Sequence, residues 1–120
     1  MRIISFAYTT PALLARRKTV TRREWKGTYA RSFHAGDLVA AYDKSPRSGG
    51  HQVATIRLTC EPYPECTADI PPYDYENEGF QYMEEVGLLV QGIHPRIFWR
   101  SWKSAKLVLW VVRFRIVSIT

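Results

Sequence analysis

The sequence predicts an α+β fold, a small mixed β-barrel with short helices packed at its side. Three observations predict it. Short alternating runs of Val, Ile, Ala and Thr recur along the chain, and irregular connections marked by Gly and Pro join them. The last run, residues 106–119, is longer and dense in Val, Ile and Leu. Strands linked this way close on themselves as a curved sheet or barrel. The 120 residues, 46% of them apolar, amount to a single domain over 1–120 with a core that needs no crosslink.

Each element has a local cause. Residues 2–8 alternate well enough for a first strand. Thr10 and Pro11 then form a helix start, with Thr10 as the cap and Pro11 in the first turn, so residues 12–17 make a short helix. Residues 18–23 alternate with β-favouring threonines. Residues 25–35 form a basic loop, which Gly36 and Asp37 turn into a strand over 38–42. Residues 44–50 connect to another strand at 51–59, where Val53, Thr55, Arg57 and Thr59 share a face. Residues 62–72 are irregular. Pro71 and Pro72 open a helix that runs to about Phe80, and 81–91 and 95–103 read as further short helices before the closing strand.

Charge is segregated. Seventeen Lys and Arg oppose eleven Asp and Glu, a net +6. Arg16, Arg17, Lys18, Arg22, Arg23, Lys26 and Arg31 crowd residues 16–31 with a single acid, Glu24. Residues 61–85 hold eight acids and no base, and every charge after Glu85 is positive. Basic ends of this kind can converge on one face and draw a polyanion such as RNA. No apolar run approaches the roughly 20 residues that a membrane span needs, so no membrane partner is expected. Nor does the N-terminal stretch before Pro11 read as an export signal. Cys60 and Cys66 lack partners at metal-ligand spacing, and His34, His51 and His94 are scattered. A cytoplasmic protein with reduced thiols, no metal and no cofactor is expected.

The chemistry concentrates in residues 16–26. On a strand, Thr19, Thr21 and Arg23 share one face while Val20 and Arg22 take the other. Two hydroxyls and a guanidinium together can hydrogen-bond a phosphate or a base edge; equally, the run can be an edge strand with solvated charges. Tyr8, Trp25, Tyr29 and Phe33 lie in or near this basic stretch, as base stacking beside phosphate contacts requires. Tyr8 and Trp25 are expected at the surface, and Phe33, Phe80, Trp99 and Trp110 in the core. Asp74 and Glu78, four apart on a helix, could pair on a magnesium ion or be plain solvated carboxylates.

Lys18-Thr19-x-Thr21-x-Arg23 after a short helix is similar to the signature strand of ASCH domains. Phe33-His34-Ala35-Gly36-Asp37 resembles that family's turn into its next strand, and residues 53–58 sit where its central strand lies. Glu78-Gly79-Phe80 resembles the acidic helix motif, and Trp99, Trp102, Trp110 and Arg113 complete the order. One departure is Arg16, where many relatives have glycine two residues before the lysine.

The resemblance implies a PUA-like barrel with a cleft between the signature strand and the acidic helix, and a role linked to RNA. It also implies, for one branch, hydrolysis of the acetyl amide of 4-acetylcytidine by a lysine, a threonine and a glutamate. By motif position these match Lys18, Thr21 and Glu78. Thr21 would attack the acyl carbon, Lys18 would take its proton, and Glu78 would shuttle a proton or hold the base amine. Positions three apart on a strand face opposite ways, so Lys18 must lie in the turn before the strand for the pair to meet.

The leading expectation is an RNA- or nucleoside-binding domain. Its cleft has Lys18, Thr19, Thr21 and Arg23 against Glu78; Arg16, Arg17, Arg22 and Lys26 attract phosphate; Tyr8 and Trp25 stack. The alternatives are an amidohydrolase acting on acylated nucleosides and a module whose basic face meets an acidic protein.

Overall fold

The computed structural model describes all 120 residues. Its strands are β1 (Arg2–Ser5), β2 (Val20–Arg23), β3 (Leu38–Tyr42), β4 (Gln52–Leu58), β5 (Tyr63–Cys66) and β6 (Val108–Ile119). Its helices are α1 (Thr10–Leu14), α2 (Gly27–Ala30), α3 (Asp74–Asn77), α4 (Phe80–Glu85) and α5 (Pro95–Ala105). The strands form one six-stranded mixed sheet in the order β1-β3-β4-β6-β2, with β5 also on β6. Only β1 and β3 run parallel; the other pairings are antiparallel.

The length of β6 organises the sheet. Its C-terminal half pairs with β4, Leu58 opposite Phe114, and its N-terminal half with β2 and β5, Arg23 opposite Trp110 and Glu65 opposite Leu109. One strand thereby serves two segments of sheet and carries the curl between them. The result is a curled half-barrel with the short helices alongside. Its edges, β1 and β2, do not pair with each other. Instead the Arg23 guanidinium bridges them, donating 2.6 Å to the carbonyl of Ser5.

Alternation explains which residues go inside. On β4, Ala54, Ile56 and Leu58 are buried and Val53, Thr55 and Arg57 lie on the other face. The former join Ile4, Phe6, Phe33, Val112 and Phe114 in the inner core. A second cluster builds the helical layer from Ala12, Tyr75, Phe80, Met83 and Val90. Each fully buried large apolar side chain contributes about 1.5–3 kcal/mol.

Several local expectations need correction. Thr10 does not cap α1. The 3-10 turn Ala7–Thr9 is already helical ahead of it, the Thr10 backbone N–H goes to Ala7, and the Thr10 hydroxyl is buried without a partner. Residues 62–72 contain strand β5, whose Pro64 is tolerated because the strand pairs with β6 alone. The helix expected through Phe80 breaks at Gly79, at φ +92°. A Cβ there would stand 2.4 Å from the Cβ of Ala12, so only glycine lets α1 approach. Trp99 and Trp110 are half-buried rather than core. No helix is long and apolar enough to cross a membrane.

Candidate functional site

A pocket of about 270 Å³ opens where the β1 and β2 edges meet the helical layer. Lys18 enters it from the turn before β2. Arg16 makes that turn with φ +62°, the left-handed conformation that glycine adopts freely. The turn is then pinned by a backbone bond from Thr19 to the carbonyl of Asn77, at 2.8 Å. Thr21 and Arg23 reach the pocket from one face of β2, and Arg22 from the other. Glu78 arrives from the C-terminal end of α3, just before Gly79 turns the chain away.

Lys18 is 1% exposed and Glu78 2%. The Lys18 amine donates to the Glu78 carbonyl at 2.8 Å and to its Oε1 at 3.0 Å. Arg22 donates to the other carboxylate oxygen, Oε2, at 2.7 Å, and also to Asp74 at 2.6 Å and Glu65 at 2.8 Å. Asp74, wholly buried, accepts two further bonds from Arg113, which is itself braced by the Tyr63 hydroxyl. The network explains why a carboxylate as occluded as Glu78 stays in place: buried charges persist when each is paired and hydrogen-bonded.

Opposing effects act on the Lys18 ammonium. Burial pushes its ammonium below the usual 10.5; Glu78 pulls the other way, and Arg23 and Arg22 add to the push. Three carboxylates (Glu65, Asp74, Glu78) are shared between Arg22 and Arg113, and Glu78 also takes the Lys18 amine. Burial also works against Arg22, but Glu78, Asp74 and Glu65 outweigh it and hold its charge firmly. Burial would raise Asp74, yet bonds from Arg113 and Arg22 keep it below its usual 3.8.

Thr21 is buried, and its Oγ accepts from Arg23 Nε at 3.1 Å. Its own proton is thus free to be donated into the pocket. Around this polar floor stand Phe6, Phe80, Val90, Phe98 and Trp102, with Tyr8 57% exposed beside them.

The pocket therefore brings together Lys18, Thr21, Arg22, Arg23, Glu78 and Tyr8. Other residues expected to contact a nucleic acid lie outside its lining. Arg17 forks onto Glu76 and reaches Glu85, so its charge is engaged on the helical layer. Arg22 does line the pocket but, expected as a free phosphate ligand, is instead locked in the buried network because acids from β5, α3 and the α3 end surround it. Arg16 and Lys26 are exposed away from the lining, and Thr19 contributes backbone bonds to α3 and β6. Trp25, expected as a surface stacker, packs face to face on Phe33 at 4.9 Å and against the inner core. Asp74 and Glu78 both accept from Arg22, and no cluster of three His, Cys, Asp or Glu is placed to hold a metal. Sequence reasoning missed Glu65 and Gln91, which no local motif marks, and named Arg113 only within the last strand of the resemblance, without a place in the site; long-range pairing brings all three in.

No family model matches this chain, and no curated protein does. A solved structure is similar: the crystal structure of protein EF3133 from Enterococcus faecalis V583, of the family DUF984. The similarity covers 95% of this chain and 72% of that one, with a TM-score of 0.59 and 18% sequence identity. The two share a fold. At that identity the likeness extends to the curled half-barrel with its flanking helices.

Proposed function

We propose that the seam pocket binds a nucleoside, free or as an unpaired residue of RNA. One observation carries this: a buried lysine, threonine, arginine and glutamate converge on a single small pocket with aromatic walls. Its volume of about 270 Å³ lies just below the range of about 300–1,000 Å³ typical for small-molecule sites. That suits one base with its sugar, not a duplex. The polar groups still have capacity. A carboxylate has about four lone-pair sites, so Glu78 can accept from an exocyclic amine, while Thr21 and Arg23 can donate to a base carbonyl. Tyr8 offers a ring for stacking, which contributes about 1–3 kcal/mol per base.

Titration calorimetry with cytidine, 4-acetylcytidine and a short single strand tests this. The nucleosides should bind, and their affinity should change little with salt because Arg17 and Arg22 are already neutralised within the protein. Thr21→Val, which keeps the shape and removes the hydroxyl, should weaken binding by about 5- to 100-fold. An oligonucleotide that binds with steep salt dependence, alongside nucleosides that do not bind, would assign the ligand to an open surface instead.

A second reading, hydrolysis of the acyl amide, is favoured by the burial that drives Lys18 towards its neutral form beside a threonine with an uncommitted proton. Thr21 Oγ would bond to the acyl carbon as its proton passes to Lys18 Nζ. Collapse would break the carbon–nitrogen bond, and the lysine proton would leave with the amine. That amine is cytidine; water would then cleave the threonine ester, releasing acetate and restoring the Thr21 hydroxyl. Wild-type protein should release acetate from 4-acetylcytidine, and Thr21→Val should lose at least about 100-fold in rate. Turnover by Thr21→Val at the wild-type rate would remove the threonine from the chemistry.

A further inference from the structure

Between α4 and α5 the chain reverses in a two-residue hairpin. Val90 and Ile93 exchange both backbone hydrogen bonds, at 2.8 and 3.0 Å, and Gln91 and Gly92 occupy the corners at φ +51° and +75°. These angles make a primed turn. Its second corner favours glycine, and its first favours Asn, Asp or Gly. Short polar side chains tolerate the left-handed region because they bond to their own backbone; a glutamine is one methylene too long to do so as well. Nothing in the protein compensates Gln91, whose exposed side chain makes no hydrogen bond to it.

Gln91 nevertheless lines the pocket with Lys18, Thr21 and Glu78. So does Ala7, at φ +46°, which leads directly into Tyr8. The chain has four non-glycine residues with positive φ, Ala7, Arg16, Gln91 and Lys106. Two of them border the same pocket and a third forms the turn that delivers Lys18. Unfavourable backbone conformations persist where a ligand is met, because there the side chain matters more than the turn.

We infer that Gln91 is a specificity-determining residue that hydrogen-bonds the edge of the bound base. The inference rests on the nucleoside reading above. A primary amide presents a donor and an acceptor side by side, which matches the 3,4-edge of a pyrimidine. Cytosine offers an acceptor and an amine there; uracil offers a donor and a carbonyl. No protein bond fixes which way the Gln91 amide is turned, so it serves both. A base with no substituent at position 4 forfeits one of the two bonds.

The test pairs binding with stability. Cytidine, uridine and the riboside of pyrimidin-2-one, which lacks the 4-substituent, are titrated against wild type, Gln91→Gly and Gln91→Ala, with urea unfolding in parallel. Gln91→Gly should raise the urea midpoint, since glycine relaxes the corner, yet weaken cytidine and uridine by about 5- to 100-fold. The pyrimidin-2-one riboside should lose less. Opposed signs for stability and affinity are the signature of a ligand contact. Affinities within about twofold of wild type, or an equal loss for all three ligands, would overturn the inference while leaving the nucleoside reading intact. Wild-type protein that binds none of the three would overturn both.

Discussion

Glu78 accepts from two basic side chains at once, Lys18 through Oε1 and Arg22 through Oε2. The two respond differently to burial: Arg22 keeps its charge, whereas Lys18 is pushed towards neutrality. The sign of the resulting pH dependence follows from linkage. Between its lowered folded value and 10.5, Lys18 carries a proton in the unfolded chain but not in the folded one. Unfolding therefore takes up a proton, and the contribution of Lys18 to stability rises with pH across that window, by up to about 1.4 kcal/mol per pH unit. Comparing wild type with Lys18→Met in urea at several pH values up to 10 checks this. The difference should move in favour of wild type as pH rises; a flat difference would mean that the folded lysine keeps its proton. The residue types at 18, 21 and 78 were legible in the sequence through their motif. The lowered proton affinity of Lys18 was not, since it comes from burial by the folded layers around the side chain, with Glu78, 60 positions on, opposing it.

Among the elements, the break between α3 and α4 matters most to the site. Asp74–Asn77 ends as Glu78 turns inward, and Gly79 lets Ala12 of α1 approach before α4 begins. Gly79→Ala combines a left-handed backbone with a Cβ 2.4 Å from that of Ala12. It should cost about 2–4 kcal/mol in urea unfolding and displace Glu78 from Lys18. A loss under about 0.5 kcal/mol would show that α1 can move aside cheaply. Alternation predicts β3 over 38–42, where the structure has it, and β4 to within a residue at each end, because both strands are uninterrupted and half-facing the core. It could not reveal β5, whose Pro64 and Glu65 read as loop until β6 is there to pair with them. The helix through Phe80 failed for a related reason: the need for a glycine at position 79 comes from α1, far away in sequence.

At the scale of the molecule, the charge segregation visible in the sequence resolves inwardly. Basic residues of 16–31 meet the acids of 61–85: Arg17 meets Glu76 and Glu85, and Arg22 meets Glu65, Asp74 and Glu78. Three of the bases that the sequence offers to a polyanion, Arg17, Lys18 and Arg22, instead fasten the helical layer to the half-barrel. The mixed fold with helices at its side was legible because strand periodicity survives without context; the pocket was legible only as a list of residue types. Its position at the unpaired seam between β1 and β2 depends on how the sheet curls. Backbone amide shifts of ¹⁵N-labelled protein, followed during titration with 4-acetylcytidine, test the central claim most directly. The largest changes should fall on Tyr8, Thr21, Arg23, Glu78 and Gln91. No change at high ligand concentration, or changes confined to α2 and the exposed Lys26, would contradict a nucleoside site in the seam.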